Sequence, residues 1–126
     1  MGTRNSSFAS FNLFNLQLPG EAIYGDRDGW SRAIFEKKVD YTARALTRID
    51  ADVIGFQELW AMGTLQPALD TSALCDTHRL LVPVDRQSDK IICVSAVRSD
   101  MLLGEPEWID AFPGEVILRS AGDDPQ

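Results

Sequence analysis

The apolar positions in the first half of the chain predict a strand, a helix and a second strand. Phe8–Leu13 (FASFNL) is short, apolar and aromatic-rich, and its small and polar insertions suit a strand buried on both faces. From Ser31 to Ile49, apolar side chains recur at spacings of four and three residues, the period of an amphipathic helix. Asp52–Leu59 (DVIGFQEL) is again a compact apolar run, and it ends in Gln57 and Glu58.

This order of elements predicts a right-handed βαβ unit with two parallel, covered strands. Asn12 falls at the C-terminal end of the first strand, and Glu58 falls at that of the second. Because the carboxyl ends of parallel strands lie at one edge of a sheet, where α/β folds place their sites, we expect Asn12 and Glu58 at the same edge.

The pattern after Glu58 is weaker. A short helix is predicted within residues 64–78, and strands are predicted at Arg79–Val84 and Ile91–Val97. The polar segment Asp85–Lys90 is predicted to join these two strands as a hairpin turn. Two further predictions concern the C-terminal region: a strand beginning at Val116–Arg119 and a disordered tail at 120–126.

Composition limits the class of protein. The chain has 126 residues, 44% of them hydrophobic and 25% charged, as expected of one globular domain. No apolar run approaches the ~20 residues that cross a bilayer, and the N-terminus lacks a secretory pattern, so we expect a cytoplasmic protein. Cys75 and Cys93 form no CxxC motif and are expected to be buried free thiols. His78 has no ligand partner nearby in sequence and is expected to be hydrogen-bonded in the core or solvent-facing.

Charge is distributed unevenly. The formal net charge is −7, yet residues 1–49 carry seven basic and five acidic side chains. Lys37, Arg44 and Arg48 are expected on the solvent face of the predicted helix. The net charge argues against a basic nucleic-acid-binding protein, but a divalent cation could supply the positive charge that a phosphate substrate requires.

Two strand-end side chains are candidates for a functional site. Mg²⁺ and Mn²⁺ prefer oxygen ligands, so Glu58 could hold such a cation; the alternatives are that it turns outward or pairs with a basic neighbour. The Asn12 amide needs hydrogen-bond partners, which could be backbone groups of the core or a ligand oxygen. Asn15 is interpreted as a turn former. Signatures for dinucleotide binding, Walker-type nucleotide binding, zincins and α/β-hydrolases are absent from the sequence.

Taken together, FASFNLFNL, a helix beginning near Trp30 that contains Lys37 and Lys38, and IDADVIGFQELW resemble the N-terminal part of the endonuclease/exonuclease/phosphatase superfamily. The resemblance covers residues 8–60 well and residues 61–120 loosely. It implies the N-terminal portion of a four-layered α/β/β/α sandwich like that of deoxyribonuclease I, and Mg²⁺- or Mn²⁺-dependent phosphoester hydrolysis. It also implies that Glu58 binds the metal, that Asn12 helps to bind metal or phosphate, and that Gln57 supports them from an adjacent position.

The sequence departs from that family in its second half. The later GD-x-N and SDH-type motifs, which supply the remaining carboxylates and the general base, are absent. We therefore expect a truncated domain that is inactive by itself. The alternative is a non-catalytic α/β binding module or a vestigial fragment. Among substrates we expect nucleic acid before a lipid headgroup, an inositol phosphate or another small phosphoester, whereas the oligomeric state does not follow from the sequence.

Overall fold

A computed structural model describes residues 5–24, 29–83 and 91–109 of the chain. The elements are the strands β1 (Phe8–Leu16), β2 (Val53–Leu59), β3 (His78–Leu81) and β4 (Ile92–Arg98), and the helices α1 (Arg32–Ile49) and α2 (Met62–Thr71). The described residues contain no helix long and apolar enough to span a membrane.

The four strands form one mixed sheet in the order β1-β2-β4-β3. β1 and β2 are parallel, whereas β4 is antiparallel to both β2 and β3. The predicted pair of parallel strands joined by a helix is therefore confirmed, as is the antiparallel pairing of β3 with β4. The architecture of the described residues is α/β, with one four-stranded sheet and two α-helices.

Both helices pack against one face of this sheet. The core between them contains Leu46 of α1, Leu65 of α2 and Ile54 and Phe56 of β2, all fully buried. Strand β1 alternates, with Phe8, Ser10 and Asn12 exposed on the opposite face and the intervening residues directed towards the core. The prediction that this strand is buried on both faces is therefore wrong for the described part of the chain, because the helices cover only one face.

Helix α1 follows its predicted apolar stripe. Thr42 and Leu46 are buried, and Phe35, Val39 and Ile49 are partly buried against the same core. Ser31 is the N-cap of the helix, because its Oγ accepts a hydrogen bond from the Ile34 amide at 3.2 Å. The helix ends at Asp50, whose left-handed backbone directs its N–H to the Leu46 carbonyl at 3.0 Å.

Helix α2 begins earlier and ends sooner than predicted. It ends at Ser72, whose amide donates to the Ala68 and Leu69 carbonyls. The Ser72 hydroxyl donates to the Leu69 carbonyl at 2.7 Å and accepts a hydrogen bond from the Leu74 amide, so the chain turns away from the helix. Turns then lead to β3, which begins at His78. The predicted hairpin turn at 85–90, the strand at 116–119 and the tail at 120–126 lie outside the described residues.

The histidine and the cysteines have different outcomes. His78 is buried, with Nε2 2.7 Å from the Ala51 carbonyl and Nδ1 2.8 Å from Thr77 Oγ1, so the expectation of a hydrogen-bonded imidazole is confirmed. Cys75 and Cys93 are free as predicted, but the prediction that they are buried is wrong because both are exposed. Cys75 lies in the turn after α2, and Cys93 lies on the face of β4 that the helices leave open.

Candidate functional site

The carboxyl ends of β1 and β2 lie side by side, as the parallel pairing requires. Asn12 is the register partner of Gln57, and Glu58 follows directly. The structure thus brings the predicted site residues to one edge of the sheet. β1 does not end at Leu13, however, but resumes its pairing at Leu16 opposite Leu59.

Between these two register pairs the backbone is irregular in both strands. β1 places three residues between its paired positions where β2 places one. Phe14, Asn15 and Glu58 all have left-handed backbone, with φ of 51°, 56° and 62°. Such conformations are uncommon for residues other than Gly and Asn, and bulges often redirect side chains next to functional sites. The irregularity is therefore concentrated where the candidate residues lie.

The Glu58 carboxylate is held by the backbone of β1. Its Oε2 accepts a hydrogen bond from the Asn15 amide at 3.1 Å, and within the described residues Oε1 accepts none. Glu58 is partly buried and forms no salt bridge with any side chain in that part of the chain. Of the alternatives for this residue, direct pairing with a basic neighbour is therefore not seen. As far as the described residues go, Oε1 is the carboxylate oxygen that could contact a ligand.

Asn15 is the site residue that the sequence analysis missed. Its side chain is only 7% exposed, and its Oδ1 accepts the Trp60 indole N–H at 3.0 Å. Its carbonyl accepts the Trp30 indole N–H at 2.7 Å. Because an indole N–H can only donate, the amide oxygen must face Trp60, and the two Nδ2 protons are then left for other acceptors. Trp60, which directly follows the DVIGFQEL segment, was the available signal, because a buried indole requires an acceptor.

Lys38 of α1 contacts the irregular segment of β1 between Asn12 and Leu16, which forms a turn. Its Nζ donates to the Phe14 carbonyl at 2.8 Å and lies 3.4 Å from the Leu13 carbonyl. The same ammonium lies 4.9 Å from the Phe14 ring centre and 4.8 Å from that of Trp30, within cation–π range. Burial lowers the pKa of Lys38, while the charge of Glu58 acts in the opposite direction. The Lys38 ammonium therefore bonds to carbonyl oxygens of the turn, and its charge interacts with the Glu58 carboxylate through space.

Asn12 and Gln57 make local contacts. Asn12 is exposed, and its Oδ1 accepts the Phe14 amide at 2.8 Å, so its hydrogen-bond partner is a backbone group, but one of the exposed turn and not of the core. Gln57 accepts from the Ser10 hydroxyl at 3.1 Å and donates to the Gly55 carbonyl at 3.3 Å. Neither of these bonds reaches Glu58. Among the residues that the structure describes, the Nδ2 protons of Asn12 therefore have no acceptor and its Oδ1 accepts a single hydrogen bond, whereas the Gln57 amide both accepts and donates on the open face of the sheet.

A cleft of about 280 Å³ opens beside Asn12. It lies between the end of β1 and helix α1, and its lining includes Phe11, Lys37, Lys38 and Tyr41. The cleft thus combines two ammonium groups with aromatic surface, a lining suited to an anionic ligand that also has an apolar part.

The donors at this edge fit a hard divalent cation in kind but are few in number. Glu58 offers one carboxylate oxygen and Asn12 one amide oxygen, and Mg²⁺ is often held by one or two carboxylates together with waters and substrate phosphate. In residues 5–24, 29–83 and 91–109 no group of three His, Cys, Asp or Glu side chains is arranged to hold a metal. Any cation bound here would therefore depend on water or substrate for most of its ligands.

The chain was compared with known proteins at the levels of family, sequence and structure. No protein-family model, no curated protein and no solved structure matches it.

Proposed function

We propose that the chain is the N-terminal part of a divalent-metal-dependent phosphoester hydrolase, a nuclease or phosphatase with a four-layered α/β/β/α sandwich. The observation that carries this proposal is the Glu58 carboxylate at the end of β2, whose Oε2 accepts the Asn15 amide while Oε1 accepts no hydrogen bond from the residues that the structure describes. The left-handed backbone of Asn15 and Glu58 also supports the proposal, because such backbone conformations are common at functional sites.

The residues divide the proposed work by their chemistry. Glu58 would hold Mg²⁺ or Mn²⁺, which when bound polarises a phosphoryl oxygen and offsets the charge that develops as water attacks. The Nδ2 protons of Asn15 and Asn12 would donate to phosphate oxygens, and such fixed donors stabilise the same developing charge. The free lone pair of Asn12 Oδ1 could add a further metal ligand. Lys38 would order the turn that carries Asn15.

The described residues supply binding groups but no general base. The imidazole of His78 is bonded to Ala51 and Thr77, and the described residues contain no group of three His, Cys, Asp or Glu side chains arranged around a metal position. Proton transfer requires a group within hydrogen-bond reach of the attacking water. We therefore expect this chain to bind the cation weakly and to hydrolyse phosphoesters negligibly.

The same observation supports a second candidate, a non-catalytic module that binds a phosphoester. The two candidates share the binding groups and differ in the general base and the remaining metal ligands. Reading the coding sequence past Gln126 separates them: continuation into strands that end in GD-x-N and SDH motifs supports the hydrolase, and a stop codon supports the binding module.

Titration calorimetry with Mn²⁺ tests the metal site. Glu58→Gln keeps the shape of the side chain and removes its charge, so it should abolish binding at this edge, and Asn12→Ala should weaken binding less. Glu36→Gln is the matched control, because Glu36 is an exposed carboxylate of α1. Unchanged Mn²⁺ affinity in Glu58→Gln, or equal loss in Glu36→Gln, would reject the assignment.

A further inference from the structure

We propose that the exposed face of α1 and the adjacent edge of β1 bind single-stranded nucleic acid at a surface separate from Glu58. This surface, the α1 stripe, consists of Lys37, Tyr41, Arg44 and Arg48. Spacings of four, three and four residues place the four side chains on one face of the helix. This inference rests on the proposed function in one respect, that the bound strand would be a substrate. The contacts between the α1 stripe and the strand do not involve the metal site.

The charge of α1 stands out against the rest of the chain. The helix carries five basic and two acidic side chains, although the whole protein has a net charge of −7. Among the described residues, neither Lys37 nor Arg48 forms an ion pair. Arg44 pairs with Asp40 at 2.9 Å, but both side chains are about two-thirds exposed or more, at 72% and 67%. Because such pairs contribute little, a phosphate can compete for this guanidinium.

Aromatic surface accompanies these cations. Tyr41 is 62% exposed in the middle of the stripe. Two clefts share Tyr41 and Phe11: the one of about 280 Å³ beside Asn12, and a second of about 470 Å³ that reaches Arg44 and Arg48. From Lys37 to Arg48 the helix rises ~16 Å. The stripe therefore forms a continuous track that begins next to the candidate site.

Cations interleaved with an exposed aromatic ring match the chemistry of a single strand, whose phosphates need positive charge and whose unstacked bases need a π surface. A duplex keeps its bases stacked and would leave Tyr41 unused. An acidic peptide would likewise use only the charges. A membrane surface would require an apolar helix face, whereas this one consists of charged side chains around a tyrosine.

Fluorescence anisotropy with a labelled oligothymidylate, in EDTA so that no metal is bound, tests the proposal on the whole chain. The double variant Arg44→Gln/Arg48→Gln should weaken binding by roughly tenfold. It should also reduce the magnitude of the slope of log affinity against log salt concentration by about 1.4, which is 0.7 for each phosphate that is no longer neutralised. The control Arg32→Gln/Arg79→Gln removes the same charge at two exposed positions outside the stripe and should leave the salt dependence unchanged.

Tyr41 provides a second, charge-independent test. Tyr41→Ala should weaken binding about tenfold at every salt concentration, and Tyr41→Phe should restore it, because base stacking needs only the ring. Because the oligonucleotide titration is done in EDTA and the Mn²⁺ titration is done without oligonucleotide, failure of the metal site and failure of the stripe are distinguishable.

Several outcomes would overturn the proposal. They are equal weakening in the two arginine doubles, unchanged affinity in Tyr41→Ala, or oligoglutamate of matched charge binding as tightly as oligothymidylate. Preferential binding to duplex DNA, or to phosphatidylserine vesicles, would replace the single strand with a different partner.

Discussion

Lys38 connects α1 to the left-handed turn of β1 through two carbonyls and two aromatic rings. Its burial, which lowers its pKa below the ordinary value of 10.5, disfavours the charged form in the folded state. As pH rises towards 10.5, the folded protein therefore loses this proton before the unfolded chain does. Because the unfolded state then binds more protons, stability contributed by this group must rise with pH in that window.

Comparison with Lys38→Arg measures this effect, because arginine stays charged throughout the window. The difference in unfolding free energy between wild type and variant should grow in favour of the wild type as the pH rises towards 10.5. Urea denaturation at several pH values gives both curves. A difference that stays flat or shrinks over this range would show that Lys38 is solvated.

Asn15 contributes to stability through its side chain and through its backbone. Asn15→Ala removes the acceptor of the buried Trp60 indole N–H and puts alanine in a left-handed conformation, whereas Asn15→Gly does only the first. We expect Asn15→Ala to lose about 3 kcal/mol of unfolding free energy. Asn15→Gly should lose about 2 kcal/mol, because glycine adopts the left-handed conformation without strain. Asn12→Ala, at an exposed amide, should stay within about 0.5 kcal/mol of wild type. Equal losses in the two Asn15 variants would contradict the backbone contribution.

At the scale of elements, the bulge between β1 and β2 places Glu58 at a φ of 62°. Glycine adopts this conformation without strain, whereas alanine does not. Glu58→Gly should therefore be more stable than Glu58→Ala by about 1 kcal/mol in urea denaturation. The same pair of substitutions at Glu36, inside α1, should give the reverse order by about 1 kcal/mol. If both positions favour alanine, the bulge is not strained in solution.

Periodicity was sufficient to predict the elements but not their irregularities. The 3.6-residue stripe of α1 and the apolar runs of β1 and β2 carry their own signals, and the parallel pairing followed from them. The bulge has no comparable signal, because Phe14 and Glu58 have no intrinsic preference for left-handed backbone and only Asn15 tolerates it well. Consequently the sequence predicts that Asn12 and Glu58 lie at the same edge of the sheet, but it does not predict the hydrogen bond between the Asn15 amide and Glu58.

In the molecule as a whole, the face of the sheet opposite the helices explains why Cys93 is exposed and not buried. Which face of a strand is covered depends on tertiary packing, so the alternation along β4 could not show that Cys93 lies on the open face. This face is mixed in character: it includes Phe8, which is 74% exposed, together with Ser10 and Asn12. The exposed Phe8 ring is the apolar part of this face, and exposed apolar surface favours association between copies of the chain.

Thiol labelling tests this association. Both cysteines should react with Ellman's reagent in the native protein at low concentration, because both are exposed. As protein concentration rises, Cys93 should become protected while Cys75, in the turn after α2, stays reactive as the internal control. Sedimentation of a compact monomer, with Cys93 equally reactive at every concentration, would rule out association through this face.

Paramagnetic broadening by Mn²⁺ tests directly whether a divalent cation binds at the carboxyl ends of β1 and β2. In ¹H–¹⁵N spectra, substoichiometric Mn²⁺ should first broaden the Asn15 amide, which is bonded to Glu58, and then the indole N–H signals of Trp30 and Trp60. The Glu58→Gln variant should lose this broadening and retain the spectrum of the folded protein. Broadening that persists in Glu58→Gln, or that is centred on other acidic residues, would contradict the account.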